Sequence, residues 1–136
     1  MKLLWTNTQL VMTAIGGFVG WFLGGYDGFI YALLIFVIVD YLTGIMVAVL
    51  EKQLSSEVGA KGICKKLLIF TLVGIANVID SQLIGTGSVI RTAVIFFYLS
   101  NEGISIIENA TSMGLPIPHK LQSILAQLSE GDEKNE

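Results

Sequence analysis

The stretch Phe29–Leu50 reads FIYALLIFVIVDYLTGIMVAVL, and Asp40 is its only charged residue. A helix of about 20 apolar residues spans the hydrocarbon core of a bilayer, so these 22 residues predict a membrane span. A carboxylate near the bilayer centre costs about 2.5–3.5 kcal/mol on insertion scales. We therefore expect Asp40 to face a partner or water rather than lipid.

The composition of the whole chain also favours a membrane protein. Of the 136 residues, 53% are hydrophobic and only 14% are charged, whereas about 25% of the residues of an average soluble domain are charged. The net charge of −3 argues against a nucleic-acid partner, because nucleic-acid binding requires a basic surface. Cys64 is the only cysteine, which excludes an intrachain disulfide and a cysteine metal cluster.

Four apolar stretches divide the chain into three or four transmembrane helices. They cover about Leu10–Gly25, Phe29–Leu50, Leu67–Ile84 and Val89–Ile107. The first and third are short, and because tilt or interfacial placement can absorb a short stretch, a three-span topology stays open. The prediction is an all-α integral membrane protein with four spans preferred, in a transmembrane domain of residues 1–114.

Residues 115–136 form a predicted cytoplasmic tail. Pro116 and Pro118 end the preceding helix, because proline removes a backbone donor and disfavours helical geometry in the residue before it. A short amphipathic helix follows, with an apolar face formed by Leu121, Ile124, Leu125 and Leu128.

Basic residues predict the orientation. Four of the eight Lys and Arg residues lie in the segment Glu51–Lys66, which we interpret as a cytoplasmic loop by the positive-inside rule. The connections Gly25–Gly28 and Ser81–Ser88 contain neither residue type. An even number of spans with both termini inside satisfies this distribution. Arg91, at the outer end of the last span, is the exception and must snorkel outward or find a carboxylate.

Three glycines in the first stretch, Gly16, Gly20 and Gly24, follow one another at four-residue spacing. Small residues at this spacing let two membrane helices approach closely. The pattern predicts helix packing, either within the chain or between copies. The alternative is that glycine is simply common in membrane helices.

The last span contains the densest set of polar residues. They recur at intervals of one, three and four residues, which places them on one helical face; they are Asn101, Glu102, Ser105, Glu108 and Asn109. Such a face cannot contact lipid without a large cost. It therefore faces other helices, another subunit or a water-filled lumen, unless the helix leaves the membrane beyond Glu102.

Further polar residues extend this prediction to the other spans. Asn77 and Asp80 lie near the outer end of the third span, where Arg91 is the nearest candidate partner of Asp80, whereas Asp40 has no obvious basic partner. Several buried acids and one buried base would leave a lone subunit with unpaired charge, which protonation, oligomeric pairing or water must resolve. The residues assigned to the pore or subunit interface are Asp40, Asn77, Asp80, Arg91, Asn101, Glu102, Ser105 and Glu108.

No catalytic motif is recognisable in the chain. His119 is the only histidine, and it follows a proline turn without a serine or cysteine nucleophile nearby. There is no P-loop, no glycine fingerprint and no zinc-type spacing. We predict a protein without enzymatic activity, without a cofactor and without a metal site.

Five motifs, in this order, resemble one family. They are DYLTG (Asp40–Gly44), LSSEVGAKGICKK (Leu54–Lys66), ANVID (Ala76–Asp80), NEGISIIENA (Asn101–Ala110) and GLPIPHKL (Gly114–Leu121). Over about Val39–Leu128 the chain is similar to phage holins of the toxin-secretion and phage-lysis type of Gram-positive bacteria. Members of that family are often drawn with three spans, and the glycine-rich first stretch is least like the family pattern.

The resemblance implies a multi-pass protein of the bacterial cytoplasmic membrane that forms homo-oligomers. These would open large pores through which an endolysin, or another large protein without a signal peptide, crosses the membrane, with lysis or protein release as the result. Two alternatives stay open at this point. The chain could be a small oligomeric ion channel or transporter, or a membrane scaffold that opens no pore.

Overall fold

A computed structural model describes residues 1–133, except for the side chains of Leu125 and of residues 128–133. Helices account for most of this part of the chain, which contains no strand. The helices are α1 (Lys2–Leu23), α2 (Gly28–Leu50), α3 (Ser56–Val78), α4 (Val89–Ser112) and α5 (His119–Glu133), and α3 continues as a π-helical turn from Ile79 to Ile84. The all-α prediction is confirmed.

Local sequence signals explain where the helices begin and end. Asp27 caps α2, because its carboxylate accepts a hydrogen bond from the Ile30 backbone N–H at 3.0 Å. Ser55 caps α3 in the same way, and its hydroxyl oxygen accepts from the Val58 N–H at 3.1 Å. Gly24 ends α1 in the left-handed region with φ of 84°, a conformation that favours glycine.

Three helices within residues 1–133 are long and apolar enough to cross a membrane, namely α2, α3 with its π-helical extension, and α4. This result supports the three-span alternative rather than the preferred four spans. Helix α1 has 22 residues, but polar side chains dilute the hydropathy of its first half; they are Thr6, Asn7, Thr8, Gln9 and Thr13. The orientation with both termini inside depended on an even number of spans and stays a prediction.

The clustering of lysines predicts a loop over Glu51–Lys66. The structure shows that most of this segment is helical, so the prediction is wrong. Only residues 51–55 form the turn between α2 and α3, and α3 begins at Ser56. Glu57 lies in the first turn of α3, where a carboxylate interacts favourably with the helix dipole. Lys61, Lys65 and Lys66 therefore project from a helix.

The apolar core lies between α2, α3 and α4. It is formed by Leu23, Ile30, Leu33, Val37, Ile69, Val73 and Ile95, all buried. The outward faces of the spans are equally apolar, with Ile35, Ile38, Leu42, Met46 and Val49 on α2 all exposed. A continuous apolar exterior is unfavourable in water and suits the hydrocarbon core of a bilayer.

Helix α1 is attached to the bundle by its C-terminal end. Every residue from Met1 to Ile15 is exposed, whereas Gly20 and Leu23 are buried. The ring of Phe22 lies directly over Gly74 on α3, in the space that a Cβ atom at position 74 would occupy. Gly74 thus allows the close approach of α1 to α3.

This contact predicts that Gly74→Val loosens α1. We expect a loss of about 1–3 kcal/mol of stability, because a branched side chain overpacks the site below Phe22. The measurement is loss of helicity during denaturation in detergent micelles. Gly17→Val is the matched control, because the space around Gly17 is open and the cost in helix propensity is the same. Equal losses in both variants would contradict the prediction, and Phe22→Ala should restore part of the loss in Gly74→Val.

Candidate functional site

Two layers of polar side chains cross the bundle at different depths. The deeper layer, which we call the mid-bundle cluster, consists of Asp40, Lys66, Glu102 and Asn109. The second layer, the Arg91 clamp, consists of Asp27, Asn77, Asp80 and Arg91. We call the end of the bundle formed by the 51–55 turn and Ser112 the lysine end, and the opposite end the Arg91 end.

The three charged residues of the mid-bundle cluster lie at the same depth. Asp40 is ten residues before the end of α2, Lys66 is ten residues after the start of α3, and Glu102 is ten residues before the end of α4. At a rise of 1.5 Å per residue, each lies about 15 Å from the lysine end. This is half of the roughly 30 Å thickness of a hydrocarbon core.

Lys66 joins the two carboxylates of the cluster. Its ammonium group donates to Oδ2 of Asp40 and to Oε2 of Glu102, the latter at 2.6 Å. The side chains of Asp40 and Glu102 are each only 8% exposed. Lys66 therefore connects all three spans through one partly buried charged group.

Asn109 completes the hydrogen bonding around Asp40. Its amide nitrogen donates to Oδ1 of Asp40 at 3.1 Å and to the hydroxyl oxygen of Thr43 at 2.9 Å. In the part of the chain that the structure describes, no buried side-chain nitrogen or oxygen lacks a hydrogen-bond partner. The fully buried polar atoms of the cluster are thus hydrogen-bonded within one chain, as burial at low dielectric requires.

A cavity of 210 Å³ adjoins the cluster on the side of the lysine end. Asp40, Lys66, Ser105 and Asn109 line the cavity, and the rest of its wall is formed by Tyr41, Gly44, Ile45, Val58 and Gly62. Gly62 brings α3 close to the ring of Tyr41, whose hydroxyl donates to the Gly59 carbonyl at 3.3 Å. The cavity is large enough for several water molecules beside the carboxylate of Asp40.

The Arg91 clamp joins α4 to the turn between α1 and α2. The Arg91 guanidinium donates to both carboxylate oxygens of Asp27, at 2.8 Å and 3.2 Å, and to the Leu23 carbonyl at 2.6 Å. Asn77 on α3 donates to the carbonyls of Trp21 and Phe22. The last carbonyls of α1, which have no partner within their own helix, are thus satisfied by α3 and α4.

Asp80 caps the start of α4. Its carboxylate accepts hydrogen bonds from the backbone N–H groups of Ile90 at 3.2 Å and Arg91 at 2.8 Å, and the residue is 1% exposed. The predicted pairing of the Asp80 and Arg91 side chains is wrong, since the guanidinium binds Asp27 instead. The prediction that Asp80 and Arg91 lie close together is correct. The hydrogen bond, however, is donated by the backbone N–H of Arg91 and not by its side chain.

The pKa of Asp27 is held below its usual value, chiefly by the hydrogen bonds from the Arg91 guanidinium. The Ile30 N–H bond and the positive charge of Arg91 act in the same direction, whereas burial opposes them. Asp27 is therefore ionised throughout the physiological pH range.

The eight residues assigned to a pore or subunit interface separate into two groups. Most of them face the interior of a single chain, at the cluster, its cavity or the clamp; these are Asp40, Asn77, Asp80, Arg91, Glu102 and Ser105. Asn101 and Glu108 are exposed on the outside of α4. The polar face of α4 is therefore divided, since Asn101 and Glu108 lie at its exposed edge whereas Glu102 is buried.

Three residues of these layers did not belong to the predicted set: Lys66, Asp27 and Asn109. The sequence places Lys66 in a predicted loop, which leaves Asp40 without an obvious basic partner. The ten-residue spacing of both residues from their turn was the available signal. Asp27 lies in the turn just before α2, outside the apolar stretches of the sequence.

The glycines of α1 make contacts within the chain. A Cβ atom at Gly20 would lie 2.8 Å from the ring of Tyr26, whose hydroxyl donates to the Gly16 carbonyl at 2.5 Å. A Cβ at Gly24 would lie 2.8 Å from Nε of Arg91. A Cβ at Gly16 would meet no atom within 4 Å. Two of the three positions thus need glycine for packing within the chain, while Gly16 faces open space.

The cluster predicts that Lys66→Met destabilises the bundle strongly. Removing the ammonium leaves two buried carboxylates without their common partner, and the loss for a broken buried pair is about 3–5 kcal/mol. The measurement is the free energy of unfolding in detergent micelles at neutral pH. Lys65→Met is the matched control; because Lys65 is exposed, a change below about 0.5 kcal/mol is expected. Equal effects at the two positions would refute the bridging role.

The clamp predicts a pH dependence that Asp27→Asn removes. Because the folded-state pKa of Asp27 is lowered, its contribution to stability is complete above the unfolded value of about 3.9 and is lost as the pH falls through the folded value. The side chain of Asp27 is 43% exposed, so the contribution is below about 1 kcal/mol. Asparagine also caps helices well, which keeps the start of α2 intact.

The measurement compares unfolding of the wild type and Asp27→Asn between about pH 6 and about pH 2. The difference in stability between the two proteins should shrink as the pH falls, since the other carboxyl groups titrate in both. A difference that stays constant over this range would show that Arg91 does not depend on the Asp27 charge.

Comparison with known proteins places these features in a family. A model of the bacteriophage holin family matches residues 17–130. A 14.9 kDa protein of Clostridium perfringens is 39% identical over 118 residues, covering 87% of this chain and 89% of its own. A Listeria monocytogenes protein is 40% identical over 125 residues, covering 89% of each chain.

A probable holin of Bacillus phage phi105 is 31% identical over 134 residues, covering 98% of this chain and 95% of its own. No solved structure matches the chain significantly. The resemblance carried by the five sequence motifs is confirmed. The chain belongs to the bacteriophage holin family and is a multi-pass protein of the cytoplasmic membrane.

Proposed function

We propose that copies of this chain assemble into pores wide enough for an endolysin, or another large protein without a signal peptide, to cross the cytoplasmic membrane. Lysis or protein release follows from that passage. Membership of the holin family and the similarity to a probable phage holin support this role. The chain acts in this proposal by assembly and not by catalysis.

The observation that carries the proposal is the exposure of Asn101 and Glu108 on the outside of a membrane span. They are seven residues apart, which places them on the same side of α4. Asn101 lies eleven residues from the end of α4 at Ser112, about 16 Å from the lysine end and near the middle of the bilayer. An amide at that depth is costly against lipid and favours a neighbouring subunit or water.

The internal pairing of the other charged residues restricts the proposed interface to one side of α4. Asp40, Glu102 and Arg91 have ionic partners in their own chain, so none of them requires a second copy as its binding partner. The proposed subunit interface or lumen is therefore the side of α4 that contains Asn101 and Glu108. The apolar outer faces of α2 and α3 then contact lipid.

The test measures release of graded cargo from proteoliposomes. Vesicles are loaded with a small fluorescent dye and with a folded protein of endolysin size. We expect the wild type to release both. Release of the dye alone would favour a narrow channel, and release of neither would favour a scaffold that opens no pore; each result would overturn the proposal.

Substitutions on α4 test the interface. Asn101→Leu should slow protein release about tenfold, because one interhelical hydrogen bond in a membrane contributes about 1–2 kcal/mol. Thr71→Val is its control, since Thr71 is exposed on α3 and its hydroxyl donates to the Leu67 carbonyl of the same helix. Glu108→Gln is compared with Glu57→Gln, which alters an exposed carboxylate on α3. Equal release rates for test and control variants would exclude this side of α4 as the subunit interface or lumen.

A further inference from the structure

The mid-bundle cluster contains more acidic than basic groups. Asp40 on α2 and Glu102 on α4 both bind the single ammonium of Lys66 on α3. Tyr41 on α2 is a titratable residue that also lies beside the cluster, and its hydroxyl donates to the Gly59 carbonyl. With both carboxyls ionised, the cluster would carry one net negative charge.

That charge would lie where the membrane tolerates it least. The cluster is about 15 Å from the lysine end, and the residues Asp40 and Glu102 are 7% and 6% exposed. The two carboxyls approach within about 5 Å of each other, because both are hydrogen-bonded to the same nitrogen. Two carboxylates that share a site cannot both ionise easily, since each raises the cost of charging the other.

We propose that the mid-bundle cluster is a proton-binding site, in which the carboxyls of Asp40 and Glu102 hold one exchangeable proton between them at neutral pH. One proton, two carboxyls and one ammonium make the layer electrically neutral. A neutral layer removes the cost of a net charge at the bilayer centre. The assignment goes beyond pore formation and does not depend on it.

The adjoining cavity gives the proton a route. The wall residues Gly44, Ile45, Val58 and Gly62 all lie between the cluster and the lysine end of the bundle. Water in this cavity of 210 Å³ would reach the carboxylate of Asp40 from the side of that end, where these lining residues lie. The proton therefore exchanges with solvent at the lysine end.

Infrared spectroscopy of the full-length protein in lipid vesicles at about pH 7 tests the site. A protonated carboxyl group absorbs separately from a carboxylate, and its band shifts when the sample is transferred to heavy water. We expect this band in the wild type. Glu102→Gln and Asp40→Asn should each abolish it, because either change leaves one carboxylate paired with Lys66 and removes the excess acid. Glu57→Gln, which alters an exposed carboxylate in the first turn of α3, should leave it unchanged.

Removing the only ammonium of the cluster gives the most decisive comparison with the wild type. Lys66→Gln leaves two carboxyls without an ammonium, so both should take up protons and the band should grow about twofold. A purely structural role of Lys66 gives no reason for such an increase. Far-UV circular dichroism in the same vesicles checks that each variant retains its helices.

Three results would overturn the proposal. They are absence of the band in the wild type, persistence of the band in both Glu102→Gln and Asp40→Asn, which would assign it to another carboxyl such as Asp80, and an unchanged band in Lys66→Gln. The cargo-release experiment is independent of this outcome. If the protein shows the band but releases no cargo, the proton site stands and the proposed pore is refuted. If it releases cargo but shows no band, the pore stands and the proton site is refuted.

Discussion

The ammonium of Lys66 holds the three spans together at the depth where water is scarcest. It binds one carboxylate on α2 and one on α4, and Asn109 fixes the orientation of the first. In a bilayer the apolar side chains of the core supply little net attraction between helices, because lipid tails solvate them equally well. Polar contacts at mid-depth therefore specify which helices meet and in which register.

The Arg91 clamp solves a different problem at the other end of the bundle. Helix ends leave carbonyl and N–H groups without intrahelical partners, and these are costly near hydrocarbon. Arg91 and Asn77 satisfy the end of α1, and Asp80 satisfies the start of α4. The mid-bundle cluster thus specifies the register of the three spans, whereas the Arg91 clamp satisfies the backbone groups at the helix ends.

The sequence alone predicted the helical class, the residues of α2 and the presence of buried polar groups. It did not predict their partners, for one identifiable reason. The lysines after α2 were interpreted as a loop, although Ser55 and Glu57 form a helix start. In an antiparallel hairpin with a short turn, residues equally distant from the turn face each other. With the start of α3 at Ser56, this rule predicts that Lys66 lies opposite Asp40. The partner of Arg91 was missed because Asp27 lies outside the span that it caps.

The internal pairing changes the physical argument for assembly. If the buried charges had lacked partners, the need to neutralise them would have driven copies of the chain together. In this bundle the charges are bonded within one chain, so the monomer is already compatible with lipid over most of its surface. In the proposed assembly the driving force would come from what remains exposed, chiefly Asn101 at mid-depth, and it would be correspondingly small. A small driving force leaves a membrane protein dispersed at low density and associated at high density, since association depends on concentration whereas the pairing within each chain does not.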